Sequence, residues 1–547
     1  MISTKAQNLI HVLIGLVCFG VLPQMHAITP APDGGYPNFT TAEGDNALKA
    51  LTTGEGNTAI GTFSLFSVST GNFNTAVGAG SLDLNQADSN TATGAAALLF
   101  NTTGAENTAN GTAALEFNII GSFNTADGAF ALFSNTAGSQ NTANGHAALY
   151  SNTSGFNNTA NGLSALAFNS TGNDNTAVGA NALLTTTTGA NNTAIGSGAL
   201  ISNATGSGNT ATGMFALASN TADANTANGN GALFSNTTGV DNTGVGAAVL
   251  HDNTTGFDNT ATGILALTSN TEGFQNTATG GSALEFNTTG VNNTADGAGA
   301  LNANINGQAN TATGLDALVS SNGDENTADG FEALFANTSG SSNTAIGDGA
   351  LNNNTTGNGN TALGRFAGTS VTTASEVICI GEVAGANVDG TTYIGGIFGT
   401  TTGLAATPVL IDSNGQLGTM SSSRRFKKEI KPMDQSSESI FSLKPVTFHY
   451  KADNAGGRQF GLIAEEVAEV NPDLVVRTKE GEIYTVRYEA VNAMLLNEFL
   501  KEHRIVQEQG DMIARQQKQI EALTAGLQKV SAQLETNNSA ATVITSH

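Results

Sequence analysis

The chain has 547 residues, of which 67 are Gly, none is Trp and only 12 % are charged, about half the share that ordinary domains carry. Its 39 % hydrophobic content excludes a disordered polyelectrolyte, and 8 Pro exclude collagen. The net charge of −25 sits in residues 28–420, which hold 27 Asp/Glu against Lys49 and Arg365, whereas residues 421–547 hold 17 acidic and 16 basic residues. The chain is therefore two materials joined near residue 420, and the first excludes nucleic acid and anionic membrane as partners, because both are bound through Lys and Arg.

Residues 1–27 read as a secretory signal, with Lys5, an apolar run from Leu9 to Leu22, then Pro23 and Met25-His26-Ala27 before the cut. That run falls short of the roughly 20 residues a membrane span needs. No later stretch approaches that length, so the expected product is secreted or held at the cell surface, with no integral membrane span once the signal is removed. Cys18 leaves with the signal; Cys379 then stands alone and no intrachain disulfide is expected.

After a lead-in (28–39), an Asn-Thr step recurs from Asn57 to Asn360 in 19 units, with fifteen spacings of 17 residues and three of 16. The consensus is N-T-A-x-G-x-x-A-L-x-x-N-T-T-G-x-x. Gly stands four after the Asn in every unit, and Leu eight after it in all but the last, where Gly368 stands. A degenerate unit opens at Thr40, bringing the count to about 20 over residues 40–368. Each repeat reads as one rung of a parallel β-solenoid. The fixed Gly marks positive φ or a close approach, and N-T-T-G carries turn chemistry. The runs N-T-A-x and x-A-L-x are each predicted as one short strand. The 16-residue units lose a residue near the second turn, where loops tolerate deletion.

Stacking predicts a Leu column inside and Asn and Thr ladders between rungs. At about 4.8 Å per rung, 20 rungs make a rod roughly 90–100 Å long. One Leu, one or two Ala and an occasional Phe per rung is a thin core to set against ordering entropy, which points to an oligomer. The N-T-A-x-G…A-L pattern resembles the heads of trimeric autotransporter adhesins. The resemblance implies a left-handed parallel β-roll and a trimer. The membrane β-barrel anchor of those adhesins has no counterpart here, so export through a barrel of its own is not expected.

Other features of the rod carry no site. His146 and His251 are isolated. Asp127, Asp296 and Asp329 share one offset, but other units place Val, Ile, Thr or Asn there, so the column reads as a solvated face and no metal or cofactor is expected. A Thr column follows the Asn in every unit. The second Thr of an ice-binding Thr-x-Thr ladder occurs only at Thr93, Thr212, Thr262, Thr279 and Thr313, which makes ice binding a minor alternative.

A neck (369–420) keeps strand-like runs at Val377–Gly381 and Tyr393–Gly395, while the 17-residue register is read as lost. Composition then changes. S-S-S-R-R-F-K-K-E-I opens at Ser421, followed by L-K-P-V-T-F-H-Y (443–450), F-G-L-I-A-E-E-V (460–467) and Y-T-V-R-Y-E-A (484–490). Residues 447–450 alternate as a strand and 464–470 as a short helix. These segments, in this order, closely resemble the C-terminal intramolecular chaperone and autoprotease domain of phage tailspikes and endosialidases. The resemblance implies a small α+β domain at 421–490 that assists trimerisation and cuts the chain between Ser421 and Ser422. It places the nucleophile at Ser422 and the base at Lys427, with Arg425 and Ile430 also matching. Ser423 stands where the family has Asp, and Ser423 with Lys428 offers a second pair at the same spacing. Ser is a weak nucleophile until a base takes its proton, and Lys accepts one only when neutral, a state favoured by burial and by the neighbouring Arg424, Arg425 and Lys428.

From residue 491 to 547 the pattern is helical. Phe499, Val506, Ile513, Ile520, Leu527 and Leu534 repeat every seven residues, with Leu495, Leu523 and Val530 on the companion seam, and this predicts a coiled coil suited to three chains. The expected protein is thus a mainly β, secreted, adhesin- or tail-fibre-like homotrimer. Its partners are copies of itself and a surface or glycan ligand. The enzymatic alternative is a tailspike-like hydrolase acting on glycans, but no paired carboxylates interrupt the repeats to supply its chemistry.

Overall fold

The structure, a computed structural model, describes residues 37–403, 406–412, 414–451 and 456–542. The predicted signal and most of the lead-in lie outside the described residues. The chain divides into two compact units that meet at Thr400 and Thr401.

The first unit is a parallel β-solenoid whose 22 strands form a single sheet. Each rung contributes three residues, from β1 (Thr41–Glu43) and β2 (Thr58–Ile60) through to β20 (Thr361–Leu363). Neighbouring rungs pair in repeat register, Thr58 on Thr75 and Ala59 on Ala76. The two-residue period of a strand sends the central Ala inward and its flanking residues outward. Ala126 is accordingly fully buried between exposed Thr125 and Asp127.

The second strand expected in each rung does not form. The x-A-L-x run is a corner in which residues six and eight after the Asn take positive φ, 59° at Phe63 and 49° at Leu65, 58° at Ala113 and 53° at Leu115. Alternating the sign of φ turns successive amides up and down the stack. Phe63 donates its N–H to Asp45 O in the preceding rung (2.9 Å), and Leu65 donates to Ser81 O in the following one (3.0 Å). The ladder between rungs therefore continues around the corner without extended backbone. A left-handed Leu is sterically costly, and burial of its whole side chain together with the bonded amide offsets that cost.

The interior differs from the predicted one. A typical rung buries one Leu, two small residues and two Asn, such as Asn107 and Asn118, both fully inaccessible. Several Phe stand outside instead, with rings stacked from rung to rung at 5.0 Å (Phe100 on Phe117) and 4.6 Å (Phe257 on Phe274). Stacking is close enough to fix Gly at two places per rung. A Cβ on Gly145 (φ +133°) would lie 2.5 Å from Gly162 O, and one on Gly138 would lie 2.3 Å from Gly155 O. The shortened rungs do lose their residue at the second turn. Each puts a carboxylate there to accept an N–H from the rung before, Asp88 from Asn72 (2.7 Å), Asp223 from Ser207 (2.7 Å) and Asp324 from Gln308 (2.8 Å).

The sheet also runs past Gly368, where the register was expected to end. β21 (Ile378–Ile380) follows β20 at the full 17-residue spacing, and β22 (Thr392–Ile394) follows after a shorter rung. Val377 replaces the repeat Asn, yet its N–H still meets Asn360 Oδ1 at 2.8 Å, so the stack propagates through the backbone without the side chain.

The second unit is small and mixed. Its described residues form three antiparallel pairs: β23 (Val409–Ile411) with β24 (Leu417–Thr419), β25 (Val446–Phe448) with β26 (Gln459–Gly461), and β27 (Val475–Arg477) with β28 (Ile483–Val486). Helix α1 (Ala464–Val470) lies between the last two pairs in sequence, and α2 (Tyr488–Thr542) ends the described chain. Its core is Ile440, Val467, Leu474, Val475, Val486, Val491 and Met494. The Tyr488 hydroxyl accepts the Leu462 N–H at 3.0 Å, fastening the start of α2 to the strand-to-helix connection. At 1.5 Å per residue α2 is about 80 Å long, and every residue from 502 to 537 is exposed.

Candidate functional site

Ser421 and Ser422 lie in an irregular stretch that leads into a 3-10 turn, Arg424–Phe426. Ser423 precedes the turn in extended conformation, and Lys427 closes it with its N–H on Arg424 O (3.1 Å). Ser422 and Lys427 thus flank one short turn. No hydrogen bond joins them in the single chain, and both are exposed, as are Ser423 and Lys428. The Ser423 carbonyl accepts the Phe426 N–H (3.0 Å), its own N–H donates to Ser421 Oγ (3.3 Å), and the Arg425 guanidinium lies 4.6 Å from the Phe426 ring centroid. The turn keeps Ser422 and Lys427 close in sequence, but the burial expected around Lys427 is absent from the described chain.

A polar cluster that sequence reasoning did not single out joins the 3-10 helix Asp434–Ser442 to α2. Ser437, wholly buried, donates its hydroxyl to Glu498 and accepts from Asn497 Nδ2 (2.6 Å), which also reaches Asp434 O (3.1 Å). Lys501 Nζ lies 2.7 Å from Glu498 Oε1 and 3.5 Å from Glu438. Hydrogen bonds from Lys501 and then Ser437 hold the Glu498 carboxyl below its ordinary range, while Glu498 holds the Lys501 ammonium above its own. The three-residue spacing of Glu498 and Lys501 was visible. Ser437, in a polar run, gave no sign that it would be buried.

The apolar seam of α2 has no partner among the described residues of the chain. Phe499, Val506, Ile513, Ile520, Leu527 and Leu534 are each more than half exposed. So is one face of the β23–β24 hairpin, at Val409, Ile411 and Leu417. An apolar groove on the rod is lined by Leu84, Phe100, Thr102, Phe117, Ile119 and Thr136, none of them titratable. Among the described residues no three His, Cys, Asp or Glu side chains gather as a metal site, and no helix is long and apolar enough to cross a membrane. Asp127, Asp296 and Asp329 stand outward on their strands.

Comparison with known families places one match on this chain. Residues 422–476 fit the family model described as chaperone of endosialidase. The match opens at Ser422 and takes in the 3-10 helix, β25, β26 and α1. No curated protein and no solved structure matches the chain. A chaperone-of-endosialidase segment behind a long parallel β-solenoid is the arrangement of a tail-fibre-like protein.

Proposed function

We propose that the protein is a secreted, fibrous surface protein of adhesin or tail-fibre type that works as a homotrimer. Its C-terminal module brings three chains into register. The observation that carries this reading is the apolar seam of α2, which stays solvent-exposed from Phe499 to Leu534 while following a module of a chaperone family. Winding helices together buries such a seam, and an Ile-rich first position suits three strands. The exposed β23–β24 hairpin argues the same way, since an isolated two-stranded hairpin is marginal in water. Identical rungs can pair a whole repeat out of step, so a device that sets register matters most in a rod of this kind.

Self-cleavage belongs to the same assembly. Ser422 Oγ adds to the Ser421 carbonyl carbon while Lys427 Nζ takes its proton. The Ser421–Ser422 C–N bond breaks, the nitrogen leaves as the protonated amine, and water hydrolyses the resulting ester. Neighbouring chains supply the burial that the exposed pair lacks. The rod itself binds a surface or glycan without turning it over, because its rungs carry no acid–base pair.

Intact-mass measurement of the protein recovered outside the cell tests this reading. The expected product lacks residues 1–27 and yields a 126-residue fragment, 422–547. A product that retains the signal contradicts secretion. Turnover of a soluble glycan by the purified protein contradicts a purely binding role.

A further inference from the structure

We infer that copies of this chain touch through the outward face of the last four strands of the rod: β19 (Thr344–Ile346), β20, β21 and β22. The inference rests on the trimer reading above and adds where along the rod the chains meet.

The third residue of every strand forms one outward column. Through most of the rod that column is mixed, with Thr93, Asn110, Asp127, Asn144 and Asn161 in succession. Apolar residues there come singly or in pairs, such as Val178 with Ile195. The end of the sheet is different. Ile346, Leu363, Ile380 and Ile394 follow one another, 40, 48, 39 and 41 % exposed, and Ile378 (37 %) interrupts the neighbouring Thr column beside them. Exposed apolar residues scattered singly need no explanation, whereas a contiguous patch marks a contact.

Charge identifies the occupant. Parallel copies wound about a three-fold axis bring equivalent residues together where a face lies on that axis. A face placed there has to be free of charge, since like charges directly opposed destabilise the contact. The apolar column stops at Asp329, the outward end of β18 (Thr327–Asp329), and Asp296 and Asp127 stand in the same column farther back. Beside the patch, Arg365 lies 3.5 Å from Asp348 and 3.7 Å from Glu382, offsetting the two carboxylates that flank it. Arg365 is one of only two basic residues in residues 28–420. The patch also occupies the rungs nearest in sequence to the chaperone module, where chains held together by that module are at their highest effective concentration.

Site-directed cross-linking of the full-length protein, with Ser422→Ala blocking the cut, tests the inference. Leu363→Cys and Thr262→Cys place thiols in the same outward column, one inside the patch and one far from it. Native Cys379 is fully buried, so the unsubstituted protein serves as the blank. Treatment with a short bis-maleimide is expected to link about two chains in three of Leu363→Cys into covalent pairs, the ceiling for one thiol per chain in a trimer, and few of Thr262→Cys. Adding Ile380→Asp to Leu363→Cys should reduce that yield severalfold while native mass remains that of three chains. Equal yields at 363 and 262 would show contact along the whole rod and overturn the restricted patch. Low yield at 363 in a protein of three-chain mass would overturn the patch and leave the trimer standing. A one-chain mass would overturn both.

Discussion

Asn158 gives both its backbone N–H (3.0 Å) and its side-chain N–H (3.1 Å) to the same carboxamide oxygen, that of Asn141 one rung earlier. Its remaining side-chain N–H reaches Gly172 O at 2.9 Å. Asn141 repeats the pattern on Asn124 and Gly155. The ladder satisfies buried amides that the corners of the rung cannot pair among themselves, and each unpaired buried group costs about 1–3 kcal/mol.

Asn141→Ala should leave the Asn158 backbone N–H and one of its side-chain N–H groups without an acceptor, while Gly155 O keeps the Asn152 amide, a loss of about 3 kcal/mol. Because solenoid rungs contact only their neighbours, the effect should be local. Amide exchange in residues 124–175 should accelerate by about 100-fold, with remote rungs unchanged. Asn141→Asp should be worse, since it buries a charge. Uniform acceleration along the whole rod would contradict a nearest-neighbour architecture.

Asp83 is the one half-covered carboxyl in the rod that burial pushes up, and its Oδ1 is buried without a partner. Its folded form prefers the proton, so its contribution to stability falls as pH rises through the carboxylate range. Asp83→Asn should therefore raise the melting temperature at pH 7 and make little difference near pH 3. A melting temperature lowered at pH 7 would contradict this assignment.

Glu498 and Lys501 act in the opposite sense. The lowered Glu498 stabilises the module above the ordinary carboxylate range, a contribution lost as pH falls through its folded value. The raised Lys501 stabilises it below the ordinary ammonium range and is lost as pH rises. Glu498→Gln should lower the melting temperature of the C-terminal module at pH 7, and the difference from the unsubstituted protein should shrink as pH falls below the ordinary carboxylate range through the lowered folded value. A difference independent of pH would show that packing, not the ion pair, is what the substitution removed.

Ser422→Ala and Lys427→Ala should each abolish release of the 126-residue fragment while leaving the protein folded and trimeric, because aligning chains needs the module's packing and not the cut. Lys427→Arg should fail as well, since guanidinium stays protonated and takes no proton from Ser. N-terminal sequencing of the fragment checks the register: a start at residue 423, blocked by Ser423→Ala and Lys428→Ala, would transfer the reaction to the second pair.

How far the sequence discloses this structure depends on how each feature is encoded. The T-A-x strands and the Gly four after each Asn were legible because the stack needs one residue type at one offset on every rung. The corner was not, since Leu is a poor choice for positive φ and only its burial and inter-rung bond justify Leu65 there. The rung at Ile378 was hidden because Val377 makes through its backbone the bond that Asn marks elsewhere. In the C-terminal module the order of segments was plain from motif, and it was the family resemblance, not the spacing, that pointed to Ser422 and Lys427. What surrounds that pair was not legible, and the described chain leaves both residues exposed.

The central claim is that chains assemble through the C-terminal module, and the most direct measurement is the native mass of two full-length proteins side by side. With Ser422→Ala blocking the cut, the otherwise unaltered protein should weigh three times its chain, which is 55.2 kDa before signal removal, at micromolar concentration. Adding Ile513→Asp and Ile520→Asp to the α2 seam should drive it toward single chains. A stable, folded single chain in the first protein, or a trimer indifferent to the two Asp in the second, would contradict the account.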